Sequence, residues 1–138
     1  MHPSLRLALA LVAGIAAALF TIMLIETVGH RLYPPPALDY SDTEALRAYV
    51  AGLPIGAKLI VLSAWLAGTV DGVFVAGLVN RARFGLCAAV IGALVLAATL
   101  ANLAMIPHPL WLALAGVIGI PLCAWMTARL LPRLLKTA

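Results

Sequence analysis

Four runs of about twenty residues, each nearly free of charge, constrain this chain more than any other feature. They cover residues 7–25, 59–79, 84–106 and 110–128, and Asp71 is the one charged residue inside them. A helix rises about 1.5 Å per residue, so roughly 20 residues cross a hydrocarbon core of about 30 Å. No water reaches backbone groups at that depth, so each run must satisfy its own hydrogen bonds as a helix. The expected fold is all-α: an integral membrane four-helix bundle forming a single transmembrane domain over residues 1–138. Its spans fall at about 7–29, 56–80, 84–106 and 110–131, with an outer loop at about 30–54. A soluble fold is excluded by composition. The chain is 64% hydrophobic and 10% charged, whereas a soluble surface needs roughly a quarter of its residues charged.

The first run follows a short basic segment, as in a signal peptide. It continues to Ile25, beyond the usual h-region of about 7–15 residues, so a retained helix is expected. Lys and Arg set the orientation. Arg6, Arg81, Arg83, Arg129, Arg133 and Lys136 fall on one side, and Arg31, Arg47 and Lys58 on the other. The richer side is expected to be cytoplasmic, which puts both termini inside and the long loop outside. Asp39, Asp42 and Glu44 make that loop nearly neutral. The net charge of +4 needs no nucleic-acid partner, because these basic residues suit anionic headgroups at about 1 kcal/mol each.

Inside the loop, Pro34, Pro35 and Pro36 favour a stiff polyproline segment. Ser41-Asp42-Thr43-Glu44 then reads as a capping box with Ser41 as N-cap. Leu46, Tyr49, Val50 and Leu53 follow at i, i+3, i+4 and i+7, one apolar face. A short outer-surface helix between the first two spans is expected, lying on the membrane or covering the bundle. Tyr33, Tyr40, Tyr49 and Trp111 form the expected outer aromatic belt and Trp125 the inner one, while Trp65 lies deeper. Cys87 and Cys123 lack C-x-x-C spacing and read as small packing residues.

Lipid removes most of the hydrophobic drive between helices, so close packing must replace it. Each span has small residues four apart: Ala10, Gly14 and Ala18; Ala64, Gly68, Gly72 and Ala76; Ala89, Ala93, Ala97 and Ala101; Ala115, Gly119, Cys123 and Thr127. Gly14, Gly68, Gly72 and Gly119 are the packing glycines expected to matter most. The ladders suit a bundle or a homo-oligomer. Pro121 should bend the fourth span.

Two polar groups stand out. Asp71 lies ~15 Å from the Arg81 end, near the midplane. An ionised carboxylate there costs about 2.5–3.5 kcal/mol on insertion scales. It reads either as a proton or cation site or as a structural partner for a neighbouring helix. On the outer side, Glu26 and His30 share a helix face, and Asn102 and His108 lie at similar height. Glu26, His30 and His108 have the chemistry of a divalent metal site, such as Zn²⁺. The plainer alternatives are an interfacial Glu26–His30 pair and a turn histidine in water.

The segments 26–36 (ETVGHRLYPPP) and 106–111 (IPHPLW) resemble those of a group of small four-helix bacterial membrane proteins. These share an E-x-x-G-H-x-x-Y-P-x-P segment and a later H-P-x-W. The resemblance covers most of the chain and implies the bacterial inner membrane, but no activity. Small multidrug exporters differ, with their key Glu in the middle of the first span. Four-helix glutathione-type membrane enzymes need more polar and Arg residues in the helices. Three functions follow. The first is a non-enzymatic subunit, scaffold or accessory component working with other membrane proteins or a second copy. The second is a small proton- or cation-coupled transporter using Asp71. The third is an outward metal site or enzyme using Glu26, His30 and His108. No catalytic residue is assigned.

Overall fold

The computed structural model describes residues 2–37 and 41–137, with side chains through Pro132. Asp39, Tyr40 and the side chains of Arg133 and Lys136 lie outside the described residues. The described structure is helical: α1 (Pro3–Leu32), α2 (Thr43–Gly52), α3 (Ile55–Val79), a 3₁₀ turn (Arg81–Arg83), α4 (Phe84–Met105) and α5 (Leu110–Thr137). Four of these helices, all but α2, are long and apolar enough to cross a membrane. Their outward faces are apolar, including Phe20, Met105, Leu110 and Ile118, each more than 60% exposed. Such a surface is unstable against water and correctly solvated by lipid.

The helix ends follow local chemistry. α1 begins with Pro3 in its first turn, where the missing N–H costs nothing. It stops at Tyr33, since Pro34 disfavours helical geometry in the residue before it. At α2 the N-cap is Asp42, not the expected Ser41. The Asp42 carboxylate accepts from the backbone N–H of Glu44 and of Ala45, both at 3.0 Å. A charged acceptor at the positive end of a helix outcompetes a neighbouring hydroxyl. Asn80 turns the chain between α3 and α4, its side chain accepting from the Arg83 N–H. α5 continues through Pro121.

α1 and α3 lie antiparallel with their backbones in close approach. A Cβ added to Gly72 would come within 2.7 Å of the Gly14 carbonyl oxygen, and one on Gly68 within 2.9 Å of the Ala18 carbonyl oxygen. The ladder Ala10, Gly14 and Ala18 is therefore buried against Gly68, Gly72 and Ala76. At the end of this pair, the Arg6 Nε donates to the Val79 carbonyl at 2.8 Å. That contact satisfies one of the orphaned carbonyls of α3 and places a cation at its negative pole. α5 packs beside α3, with Gly116 against the Trp65 ring and Gly119 against Leu66. Gly92 of α4 meets Ala124 of α5.

The third ladder departs from expectation. Ala89, Ala93, Ala97 and Ala101 are all exposed. α4 instead buries Phe84, Cys87, Ala88, Ile91, Gly92 and Thr99. Spacing shows where a neighbour can approach, not which face receives one. Large residues at Phe84 and Ile91 fill the gaps left by glycines opposite, and this decides the face.

The buried cluster comprises Ala10, Val73, Ala76, Phe84, Cys87, Ala88, Ile91, Ala124 and Leu131. It lies toward the end of the bundle that carries Arg6, Arg81 and Arg83. The opposite end, where α1 leads through the 33–37 segment into α2, is less filled.

Candidate functional site: a roofed cavity at one end of the helices

At that less filled end a cavity of about 510 Å³ opens between the helices. α1 contributes Glu26, Gly29 and His30, and Tyr33 follows at its C-cap. α3 contributes Ala57, Lys58, Ile60 and Val61, and α4 brings Asn102. Ile106, His108 and Leu112 complete the wall around the α4–α5 turn. α2 forms the roof: Leu46, Tyr49, Val50 and Leu53, the apolar face of its helical repeat, all line the space. The Lys58 ammonium donates to the Ala51 carbonyl at 3.1 Å, tying the roof to α3. A volume of this size lies in the range of small-molecule sites, which join an apolar lining to a few polar groups.

The four polar residues singled out by height along the spans do share this wall. Among the described residues no group of three His, Cys, Asp or Glu side chains could hold a metal ion. His108 is held by its own turn. Its Nδ1 lies 2.8 Å from the Ile106 carbonyl oxygen, and its ring tilts against Trp65 at 5.8 Å between centroids. The ring is oriented by its own turn and by Trp65. A carbonyl can only accept, so in the neutral ring Nδ1 carries the proton and Nε2 is left as a lone-pair acceptor. Asn102 is under-satisfied: its side-chain oxygen is buried without a hydrogen-bond partner. Leaving such an acceptor unpaired costs about 1–3 kcal/mol.

Three lining residues were missed by sequence reasoning as members of this group: Lys58, Tyr33 and Tyr49. In the sequence Lys58 bears only on orientation, although its place in the first turn of α3 puts it about level with His30. The tyrosines read in the sequence as part of the aromatic belt.

Asp71 lies elsewhere, midway along the α1–α3 pair. Its carboxylate accepts from the Thr21 hydroxyl at 2.7 Å. Thr21 does not stand out in the sequence, since a threonine in a span can bond its own helix. Thr27, Thr69 and Thr127 do so, each donating to the carbonyl four residues earlier. Arg129 lies over the Trp125 ring at 5.5 Å from its centroid, a cation–π contact of the kind suited to an interface. Both cysteines are free, and Cys87 is buried, as a packing residue should be.

The fold and the cavity define a multi-pass helical membrane protein with a largely apolar pocket that carries a few polar groups. No family model matches the chain, and neither does any curated protein or solved structure.

Proposed function

We propose that this chain is a non-enzymatic component of the bacterial inner membrane that binds a small ligand in the roofed cavity. Both termini are cytoplasmic in this reading, and the cavity faces outward. The asymmetry of Lys and Arg supports the orientation, and the motif resemblance of segments 26–36 and 106–111 supports the bacterial membrane. The observation that carries the binding role is the cavity itself, about 510 Å³ of largely apolar space with Glu26, Lys58, Asn102 and His108 on its wall, the make-up of a small-molecule site. A bound ligand also suits an accessory role, in which occupancy is signalled through α2 to other subunits.

Native mass spectrometry of the protein, extracted from its own membrane in mild detergent, tests this reading. The expected result is one small molecule retained per chain and lost in Ala57→Phe, which fills the cavity from the α3 side. Thermal unfolding of that variant in the same detergent confirms that it folds. An unoccupied wild-type chain that resembles Ala57→Phe in every titration overturns the reading. A stoichiometric metal in place of an organic molecule restores the Glu26, His30 and His108 site instead.

A further inference from the structure

Asp71 is the one charged residue inside the apolar lengths of the four spans, and the cavity wall does not include it. Among the described residues its one partner is Thr21, whose hydroxyl donates to Oδ2 at 2.7 Å. Oδ1 has no partner. It is not sealed either, since the Asn102 oxygen is the one side-chain atom both buried and unpaired among the described residues. Thr21 and Asp71 are each partly buried. Leu24 and Phe74, three residues further along their helices, are exposed. Oδ1 therefore opens on the rim of the α1–α3 seam, against whatever lies beside these helices in the bilayer.

A carboxylate at that depth calls for a positive partner, and this chain has none to offer. Residues 7–30 and 84–128 contain no Lys or Arg. The nearest in sequence, Arg81 and Lys58, are ~15 and ~20 Å away along the axis. A second copy of the chain brings the same empty midplane. The cations of lipid headgroups stay at the interface, ~15 Å off. A hard metal cation needs about six oxygen ligands, and among the described residues Asp71 belongs to no group of three His, Cys, Asp or Glu side chains that could hold one. The cation that fits is a basic side chain fixed at mid-depth on another protein's helix. Alone in hydrocarbon such a residue is as ill placed as Asp71, and the low dielectric strengthens the attraction between the two.

We propose that Asp71 is the docking point for a different membrane protein, which presents a Lys or Arg at the middle of a transmembrane helix packed along this rim. Thr21 holds Oδ2 and leaves Oδ1 for the N–H donors of that residue. The surface adds a partner to the accessory role and shares no residue with the cavity, so either reading can fail without the other.

The probes are synthetic Leu–Ala peptides of about 21 residues, long enough to span, mixed with the full chain in mild detergent. One carries Lys at its centre, one Leu there, and one carries Lys two turns, about 11 Å, from the centre. Fluorescence anisotropy of the labelled peptides gives affinity, and native mass spectrometry counts peptides per chain. The central-Lys peptide is expected to bind one per chain, at least tenfold more tightly than the other two. Asp71→Asn should abolish that preference with an unchanged melting temperature, and Asp71→Glu should retain it. Equal binding of the central-Lys and central-Leu peptides overturns the proposal, and this comparison needs only the wild-type chain. Off-centre Lys binding as tightly as central Lys also overturns it, since the partner then lies away from the midplane. So does a preference that survives in Asp71→Asn. A wild type that self-associates without peptide, where Asp71→Asn does not, replaces the different protein with a second copy. Stoichiometric Na⁺ or Ca²⁺ lost in Asp71→Asn overturns the proposal in favour of a cation site.

Discussion

A carboxylate in the apolar length of a helix is costly unless a donor meets it, and Asp71 meets the Thr21 hydroxyl across the α1–α3 seam. Hydrogen bonds between membrane helices are worth about 0.6 kcal/mol on average, so this contact orients more than it stabilises. Asp71→Asn keeps an acceptor for Thr21 and should fold with stability within about 1 kcal/mol of the wild type. Thr21→Val should cost about the same small amount. Unfolding titration in mixed micelles measures both. A loss of several kcal/mol in Asp71→Asn would show that the negative charge itself is needed and would revive the proton- or cation-coupled transporter. At this scale the sequence was half legible. Asp71 stood out because few residue types are so ill suited to lipid. Thr21 did not, because a threonine is at home in any span.

Helix pairing is decided where backbones nearly touch. Gly72 leaves no room, with the Gly14 carbonyl and the Ala18 methyl both within 2.8 Å of an added Cβ. Gly85 of α4 meets nothing within 4 Å. Gly72→Ala should therefore destabilise by about 1–3 kcal/mol through overpacking, while Gly85→Ala should be neutral or stabilising by up to about 1 kcal/mol. Ala93→Leu, on the exposed face of α4, should leave monomer stability unchanged within about 0.5 kcal/mol. The same micelle titration ranks the three. A penalty at Ala93 equal to that at Gly72 would mean that this face packs against a further chain. Span existence was plain in the sequence because charge-free runs of that length have few uses. The partner face was not, because all four helices carry small residues four apart. The bulk of Phe84 and Ile91, placed to fill gaps beside Gly77 and Gly72, was the signal that could have decided it.

Across the whole molecule, one end is filled and basic while the other holds the cavity. The asymmetry of Lys and Arg predicts a labelling pattern. In a chain with Cys87 and Cys123 replaced by Ala, a cysteine at Ala51 of α2 should react with an impermeant maleimide in intact spheroplasts. One at Ala82, in the exposed 3₁₀ turn, should react only after permeabilisation. The reverse pattern would invert the protein and turn the cavity to the cytoplasm. The gathering of Glu26, His30, Asn102 and His108 was legible from helical rise alone, because depth along a span can be counted. Their arrangement was not, because the orientation of His108 depends on the turn carbonyl and on Trp65.

The site draws its walls from both halves of the chain: Glu26 and Lys58 come from the first hairpin, Asn102 and His108 from the second. As the protein emerges from the ribosome, the α1–α3 hairpin can enter the bilayer and close on its glycines by itself. The cavity exists only after the second hairpin has inserted and docked. Any molecule that binds it recognises finished copies alone and stabilises them by mass action, in proportion to RT ln(1 + [L]/Kd). Occupancy would then act as quality control on biogenesis, leaving half-assembled chains to the proteases of the membrane.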